Sequence, residues 1–258
     1  MSYRTITYEA RGELAVVTLN RPERANALSS ELVREMHDAV DTVEAAETVR
    51  VVIITGAGRH FCAGADLKEQ DRPGSWLDDL RTLFGRIAAL DRPTIAAING
   101  AAMGGGCELA IACDLRLMVE GAVIGVPEIK FGALAVAGGT QRLPRLIGIA
   151  KAKEMHFTGD PVDAAEAFRI GLVNQVVPPA RLMDRAHELA ATLAQRPQHA
   201  LALVKRLIDA GSQLDLKRAL EMEAELASTL GSGESMDEDR KRAAELFPAY
   251  RRIFSEDA

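Results

Sequence analysis

Two glutamates and a run of glycines are the residues of this sequence that could do chemistry together. Glu108 follows almost directly after Gly104-Gly105-Gly106. Glycines leave backbone N–H groups unshielded, and the N–H groups at a helix N-terminus are unpaired and favour negative charge nearby. Glu108 and Glu128 both lie in otherwise apolar surroundings. Two carboxylates held close together cannot both ionise easily, so one would be protonated near neutral pH. Such a site could form an anion on a bound molecule and quench it with a proton.

A second loop, Ala57–Asp66, has the same character and carries Ala63 and Gly64. Each loop follows an apolar run that predicts a strand. If the two strands are neighbours, one backbone N–H from each loop could converge on a single oxygen and form an oxyanion hole. Two structural alternatives stay open at this point. The glycines could simply close a turn, and a buried glutamate in an alanine-rich helix is usually structural.

The elements that would position these residues alternate between strands and helices. The predicted strands are Thr5–Tyr8, Leu14–Leu19, Val51–Thr55, Thr94–Ile98 and Val173–Val177, and two further segments, Leu115–Val119 and Val123–Val126, are short apolar runs. Helices are predicted after the caps Ser29 and Ser75, from Gly105, and over Gly138–Ile147, Lys151–Phe157, Asp163–Phe168, Pro178–Ala194, Pro197–Ala210 and Leu214–Leu230. Strand–turn–helix units followed by helices alone indicate an α/β core with a helical C-terminal part. We place the boundary near Arg196-Pro197, which gives domains of residues 1–196 and 197–258.

The composition is that of an ordinary globular protein and argues against several classes. The chain has 258 residues, 48% of them apolar, and a net charge of −6, which disfavours a general binder of nucleic acid or of an anionic membrane surface. Its three cysteines form no C-x-x-C pair and are expected to be small buried residues in a reducing compartment. No signal or transit peptide is evident, so we expect a cytoplasmic protein.

Motifs of other enzyme classes do not occur. The sequence contains no H-E-x-x-H, G-x-S-x-G, Walker A or G-x-G-x-x-G motif, and its five histidines are scattered singly. We therefore expect no metal site.

Six short motifs occur in an order that resembles the crotonase superfamily, most closely the enoyl-CoA hydratases. They are Asn20-Arg21-Pro22, Asn26-Ala27-Leu28, Phe61-Cys62-Ala63-Gly64-Ala65-Asp66-Leu67, Gly104-Gly105-Gly106-Cys107-Glu108-Leu109, Pro127-Glu128 and Gly138-Gly139-Thr140-Gln141-Arg142-Leu143. The likeness covers most of the chain to about Val177 and is weaker beyond it. It implies a spiral of repeated ββα units, with C-terminal helices that assemble homotrimers or homohexamers.

The resemblance also implies an acyl-CoA thioester substrate and water addition to a 2-enoyl group, a hydro-lyase reaction of fatty-acid metabolism. The catalytic carboxylates would be Glu108 and Glu128, and the oxyanion donors the N–H groups of Ala63 and Gly105. The loop made of Ala63, Gly64, Ala65, Asp66 and Leu67 would also bind the CoA moiety. Coenzyme A would be part of the substrate, and no separate cofactor would be needed.

Two departures from the family pattern keep other functions open. Ala135-Val136 stand where the family usually has Pro-Gly, so the loop that places the attacking water is altered at Val136. The segment Asp237–Phe254 also lacks the expected ending. A 3,2-enoyl-CoA isomerase or another crotonase-type reaction is the alternative, and a crotonase-fold RNA-binding module is a further one.

Overall fold

The structure, a computed structural model, describes residues 3–229. The chain divides into two compact units, Met1–Gln195 and Arg196–Ala258. The first contains ten strands: β1 (Ile6–Arg11), β2 (Leu14–Leu19), β3 (Val51–Gly56), β4 (His60–Cys62), β5 (Thr94–Ile98), β6 (Ala101–Met103), β7 (Leu115–Val119), β8 (Val123–Gly125), β9 (Val162–Asp163) and β10 (Gln175–Val177). It also contains seven of the α-helices: α1 (Ser30–Ala45), α2 (Trp76–Ala89), α3 (Gly105–Ala112), α4 (Gly139–Ile147), α5 (Ile149–Thr158), α6 (Ala164–Arg169) and α7 (Leu182–Ala194).

The larger sheet has the order β1-β2-β3-β5-β7-β10, in which β1 is antiparallel to β2 and the other pairs are parallel. Its central strands are fully buried, as continuous apolar runs such as Ile95–Ile98 require. The predicted bounds of β2 and β5 are confirmed, and β7 coincides with the short apolar run Leu115–Val119. Helix α1 packs its apolar face, which includes Leu32 and Met36, into the core.

The smaller sheet has the order β4-β6-β8-β9 and positions the site. β4 pairs in parallel with β6, and β6 in parallel with β8, so that Ala102 lies opposite both Cys62 and Ile124. Parallel neighbours end at the same edge of a sheet, so the segments that follow β4, β6 and β8 meet there. The strands predicted before the two loops are β3 and β5, which are parallel neighbours in the larger sheet. β4 and β6, short strands inside the predicted loop and turn, are parallel neighbours as well and directly precede the two glycine segments.

The helix starts were predicted with mixed success. Ser29 caps α1, since its hydroxyl oxygen accepts a hydrogen bond from the Leu32 N–H at 3.2 Å, and α3 begins at Gly105 as predicted. Ser75 directly precedes α2, as predicted, but it makes no side-chain capping bond. Its backbone is already helical, and its hydroxyl donates to Asp79 instead of accepting from a backbone N–H.

The second unit is described as far as residue 229 and contains α8 (Gln198–Gly211) and α9 (Leu216–Thr229). The two helices pack against each other, with Gly211 beside Ala219 and Met222. The prediction made for Asp237–Phe254 lies outside the described residues. No helix among residues 3–229 is long and apolar enough to cross a membrane.

Candidate active site

The glycine turn between β6 and α3 brings backbone close to a carboxylate. Gly104 has φ +56° and ψ −122°, a backbone conformation that residues with a Cβ rarely adopt. A Cβ at Gly104 would lie 2.8 Å from Glu128 Oε1. Gly106 is equally constrained, because a Cβ there would lie 2.1 Å from the Cys62 carbonyl oxygen. The turn therefore needs glycine both for its φ angle and for its close approach to β4 and Glu128.

The loop after β4 contacts this turn backbone to backbone. A Cβ at Gly64, whose φ is +89°, would lie 3.0 Å from the Gly105 nitrogen. A Cβ at Gly105 would in turn lie 3.9 Å from the Ala65 nitrogen. Gly105 is the first residue of α3, so its N–H has no partner within the helix. It has no acceptor elsewhere within residues 3–229 either, so the Gly105 N–H is an unpaired donor at this contact.

The N–H predicted as the second donor, that of Ala63, is not free. The Ala63 N–H donates to the Ala25 carbonyl oxygen at 3.0 Å and is therefore occupied. Leu28 pairs with the loop on both sides of Ala65: its N–H donates to Gly64 O at 2.7 Å, and its carbonyl accepts from the Asp66 N–H at 3.2 Å. Because backbone groups alternate along an extended chain, the Ala65 N–H points away from Leu28. Within residues 3–229 it has no hydrogen-bond acceptor, so Ala65 and not Ala63 presents the unpaired N–H.

Residues far earlier in the chain anchor this loop. Arg21 Nη2 lies 2.8 Å from Asp66 Oδ2, and the Lys68 N–H donates to Asp66 Oδ1. Burial alone would raise the pKa of Asp66, but these hydrogen bonds outweigh it and hold the pKa below its usual value. Asn26, itself at positive φ, donates through Nδ2 to the Ala57 and His60 carbonyls. Arg21, Asn26 and Leu28, which belong to two of the six motifs, therefore anchor this loop.

The two carboxylates have unequal surroundings. Glu108 is only 3% exposed, and its Oε1 accepts the Gly139 N–H at 2.8 Å. Burial raises its pKa to about 7, and hydrogen bonds from the Gly139 and Ala137 N–H groups oppose that rise. Burial also raises the pKa of Glu128, whose Oε2 is buried and has no hydrogen-bond partner in the described part of the chain. The charge of Glu128 adds to the rise at Glu108, whereas a hydrogen bond from its own backbone N–H opposes the rise at Glu128. Burial therefore disfavours ionising both carboxyl groups at once.

A cavity of about 470 Å³ joins these groups. It is lined by both glycine loops, by Glu108 and Glu128, and by an apolar wall that includes Trp76, Leu77, Leu80, Leu134 and Val136. Every predicted site residue except Asp66 lines it. Asp66 is instead buried behind the loop, in its ion pair with Arg21.

Val136 adopts an ordinary backbone conformation. The only non-glycine residues at positive φ among residues 3–229 are Ala25 and Asn26, so the valine causes no backbone strain. Its side chain lines the cavity, and its carbonyl oxygen accepts a hydrogen bond from Arg81 Nε at 3.0 Å. Any effect of Val136 on the site therefore comes from side-chain volume and not from a strained loop.

Known proteins match both the sequence and this fold. The profile of the family described as Enoyl-CoA hydratase/isomerase matches residues 9–249. A short-chain-enoyl-CoA hydratase of Clostridium acetobutylicum is 41% identical over 98% of each chain. A crotonyl-CoA hydratase of Syntrophomonas wolfei is 42% identical over 87% of this chain and 89% of its own. The crystal structure of an enoyl-CoA hydratase from Bacillus anthracis superposes with a TM-score of 0.87, at 38% identity and 97% coverage of each chain.

These findings define the class as an enzyme of the mixed α/β crotonase fold with C-terminal helices. The chain belongs to the enoyl-CoA hydratase/isomerase family.

Proposed function

We propose that this enzyme hydrates a 2-enoyl-CoA thioester. The observation that carries the proposal is the cavity in which two unpaired N–H groups, those of Ala65 and Gly105, lie with two carboxylates of unequal environment. The names of the relatives and the crotonase fold support the same activity. The oxyanion donors in this proposal are Ala65 and Gly105, with Ala65 replacing Ala63.

The proposed chemistry uses one ionised and one protonated carboxyl group, and we assign the ionised one to Glu108 because it accepts the Gly139 N–H. Ionised Glu108 accepts a proton from water as the water oxygen bonds to the β-carbon. The displaced electron pair moves to the thioester oxygen, where two preorganised N–H donors stabilise the enolate, each contributing on the order of 10²–10³ in rate. Protonated Glu128 then delivers its proton to the α-carbon, and a proton passing from Glu108 to Glu128 restores both groups. Each positioned carboxyl group raises the rate by a factor on the order of 10²–10⁴. These steps need no cofactor apart from the coenzyme A of the substrate.

The coenzyme A portion would lie along the loop from Ala63 to Leu67. Leu67 is 76% exposed beside the cavity, so this loop is open to a large ligand. We also propose that the enzyme is a homotrimer or homohexamer. Helices α8 and α9 expose Ile208, Leu216 and Leu220, and a small unit does not bury such side chains by itself.

The decisive experiment follows crotonyl-CoA by the loss of its conjugated enoyl absorbance. Purified protein should consume it, and Glu108→Gln and Glu128→Gln should each lower kcat at least about a hundredfold with the fold retained. Glu120→Gln, at an exposed position, is the control for loss of a carboxylate. A near wild-type rate for either site variant would remove that residue from the proton path.

A 3,2-enoyl-CoA isomerase is the second candidate, favoured by the Val136 side chain in the cavity. An isomerase removes an α-proton and forms a dienolate on the same thioester oxygen. It needs no attacking water, so a narrower water site would harm it less. Offering 3-enoyl-CoA and 2-enoyl-CoA in parallel separates the two activities.

A further inference from the structure

The cavity runs from an exposed rim to a buried wall. Leu67 and Phe131 line it and are strongly exposed, so a large ligand enters past them. Leu80 and Ala137 also line the cavity, but both are almost fully buried. The coenzyme A portion of a bound thioester therefore lies toward the rim, and the acyl chain ends against apolar side chains that are closed to solvent.

Val136 stands where the acyl chain continues beyond its β-carbon. In the proposed function, Glu108 acts at the β-carbon. The segment from Ala135 to Gly139 wraps around this carboxylate: the Gly139 N–H donates to Glu108 Oε1 at 2.8 Å, and a Cβ on Gly139 would lie 2.7 Å from the Ala135 Cβ. Val136 belongs to that segment, and its side chain lines the cavity. The next carbons of the acyl chain therefore meet the valine.

A hydrogen bond to α2 holds Val136 in place. Arg81 Nε donates to the Val136 carbonyl oxygen at 3.0 Å, and Leu77 and Leu80 of the same helix line the cavity. Arg81 is itself held by Asp78, whose Oδ1 lies 3.1 Å from Nη1. A β-branched side chain has little rotamer freedom. The valine can therefore withdraw from a longer chain only if its backbone moves and the bond to Arg81 breaks.

We propose that Val136 limits the length of the acyl chain and that Arg81, as a positioning residue, keeps it there, so that this enzyme selects short 2-enoyl chains. The inference rests on the proposed function, because it takes Glu108 to act at the β-carbon. Arg81 needs no contact with the substrate. An apolar pocket rejects a chain that is one methylene too long by a factor of about 10–200, so a few extra methylenes suffice for strong selection.

The test compares kcat/KM for crotonyl-CoA, 2-hexenoyl-CoA and 2-decenoyl-CoA. We expect the wild type to favour crotonyl-CoA over 2-decenoyl-CoA by at least about a hundredfold. Val136→Gly should reduce that preference at least about tenfold, mainly by lowering KM for the long chain. Val136→Ile adds one methylene and should act in the opposite direction, by lowering kcat/KM for 2-hexenoyl-CoA more than for crotonyl-CoA. A variant that is merely less stable would not produce changes of opposite sign.

Arg81→Met tests the hydrogen bond separately. It leaves the valine in place but removes the donor to its carbonyl oxygen, and should reduce the preference for crotonyl-CoA about threefold. Arg81→Lys keeps a donor and should recover part of that preference. Asp78→Asn is the matched control, because it removes the ion pair but leaves the bond to Val136, and its chain-length profile should match that of the wild type.

Three results would overturn the inference. The first is a wild type that hydrates 2-decenoyl-CoA as well as crotonyl-CoA, since a long chain would then leave by another route, such as past Glu128 into the neighbouring cavity of about 350 Å³. The second is an unchanged preference in Val136→Gly, and the third is an Arg81→Met profile equal to that of Asp78→Asn. If the wild type hydrates no enoyl-CoA, the proposed function fails as well, whereas hydration with a profile insensitive to Val136 refutes this inference alone.

Discussion

Replacing Arg21 by methionine should destabilise the loop that presents the Ala65 N–H. The Arg21 guanidinium lies 2.8 Å from Asp66 Oδ2 and also donates to the Ala27 carbonyl at 2.6 Å. The two side chains of the ion pair are only 17% and 7% exposed. Methionine preserves most of the side-chain volume but leaves the Asp66 carboxylate buried without its cationic partner.

The magnitude follows from that burial. Removing one partner of a buried pair costs about 3–5 kcal/mol, and the surviving bond from the Lys68 N–H places our expectation at about 3 kcal/mol. The double variant with Asp66→Asn should recover part of this loss. Arg4→Met is the matched control, because Arg4 pairs with Glu31 at side chains that are 81% and 33% exposed. Arg4→Met should lower the free energy of unfolding by less than about 1 kcal/mol.

Urea unfolding followed by circular dichroism measures the free energy of unfolding of Arg21→Met and Arg4→Met. The pKa of Asp66 in the folded protein lies below its usual value, so the ion pair contributes fully above the unfolded pKa and is lost as pH falls through the folded one. The difference between wild type and Arg21→Met should therefore shrink below about pH 4. Because Ala65 adjoins Asp66, kcat for crotonyl-CoA should fall as well. If Arg21→Met were no more destabilised than Arg4→Met, the ion pair would not anchor the loop.

Four other expectations can be checked directly. Val136→Gly removes a β-branched side chain from the cavity and should raise kcat for hydration with little change in KM; rates within about threefold, under 1 kcal/mol, would show that this side chain does not limit the reaction. Gly104→Ala puts a Cβ 2.8 Å from Glu128 Oε1 and should lower kcat at least about tenfold, so an unchanged kcat would contradict the described turn. The wild-type kcat should rise with pH through about 7, because Glu108 must be ionised to accept a proton, and a flat profile across that value would be inconsistent with its role. Truncation after Arg196 should reduce the number of subunits seen by light scattering, and an unchanged number would exclude α8 and α9 from the interface.

Much of the framework could be predicted from local sequence. The continuous apolar runs of β5 and β7 end at residues that break them, so their bounds follow from the chain alone. The start of α3 at Gly105 follows from the change from glycine to an apolar helical segment. The same segment surrounds Glu108 with small apolar residues, and this predicts a buried carboxylate with a raised pKa.

The tertiary structure alone decided which backbone groups are free to bind an anion. β4, β6 and β8 are three residues long, too short for a recognisable period, and they become strands only through pairing with one another. Ala63 and Ala65 look alike in the sequence, but the N–H of Ala63 donates to the Ala25 carbonyl oxygen. Leu28 pairs with the residues on both sides of Ala65, so the Ala65 N–H points away from Leu28 and stays unpaired within residues 3–229. Likewise, Gly139 donates to Glu108, while Glu128 Oε2 has no donor within residues 3–229. The residue types determine that donors and carboxylates exist, but whether each is already satisfied depends on partners brought in from distant parts of the chain.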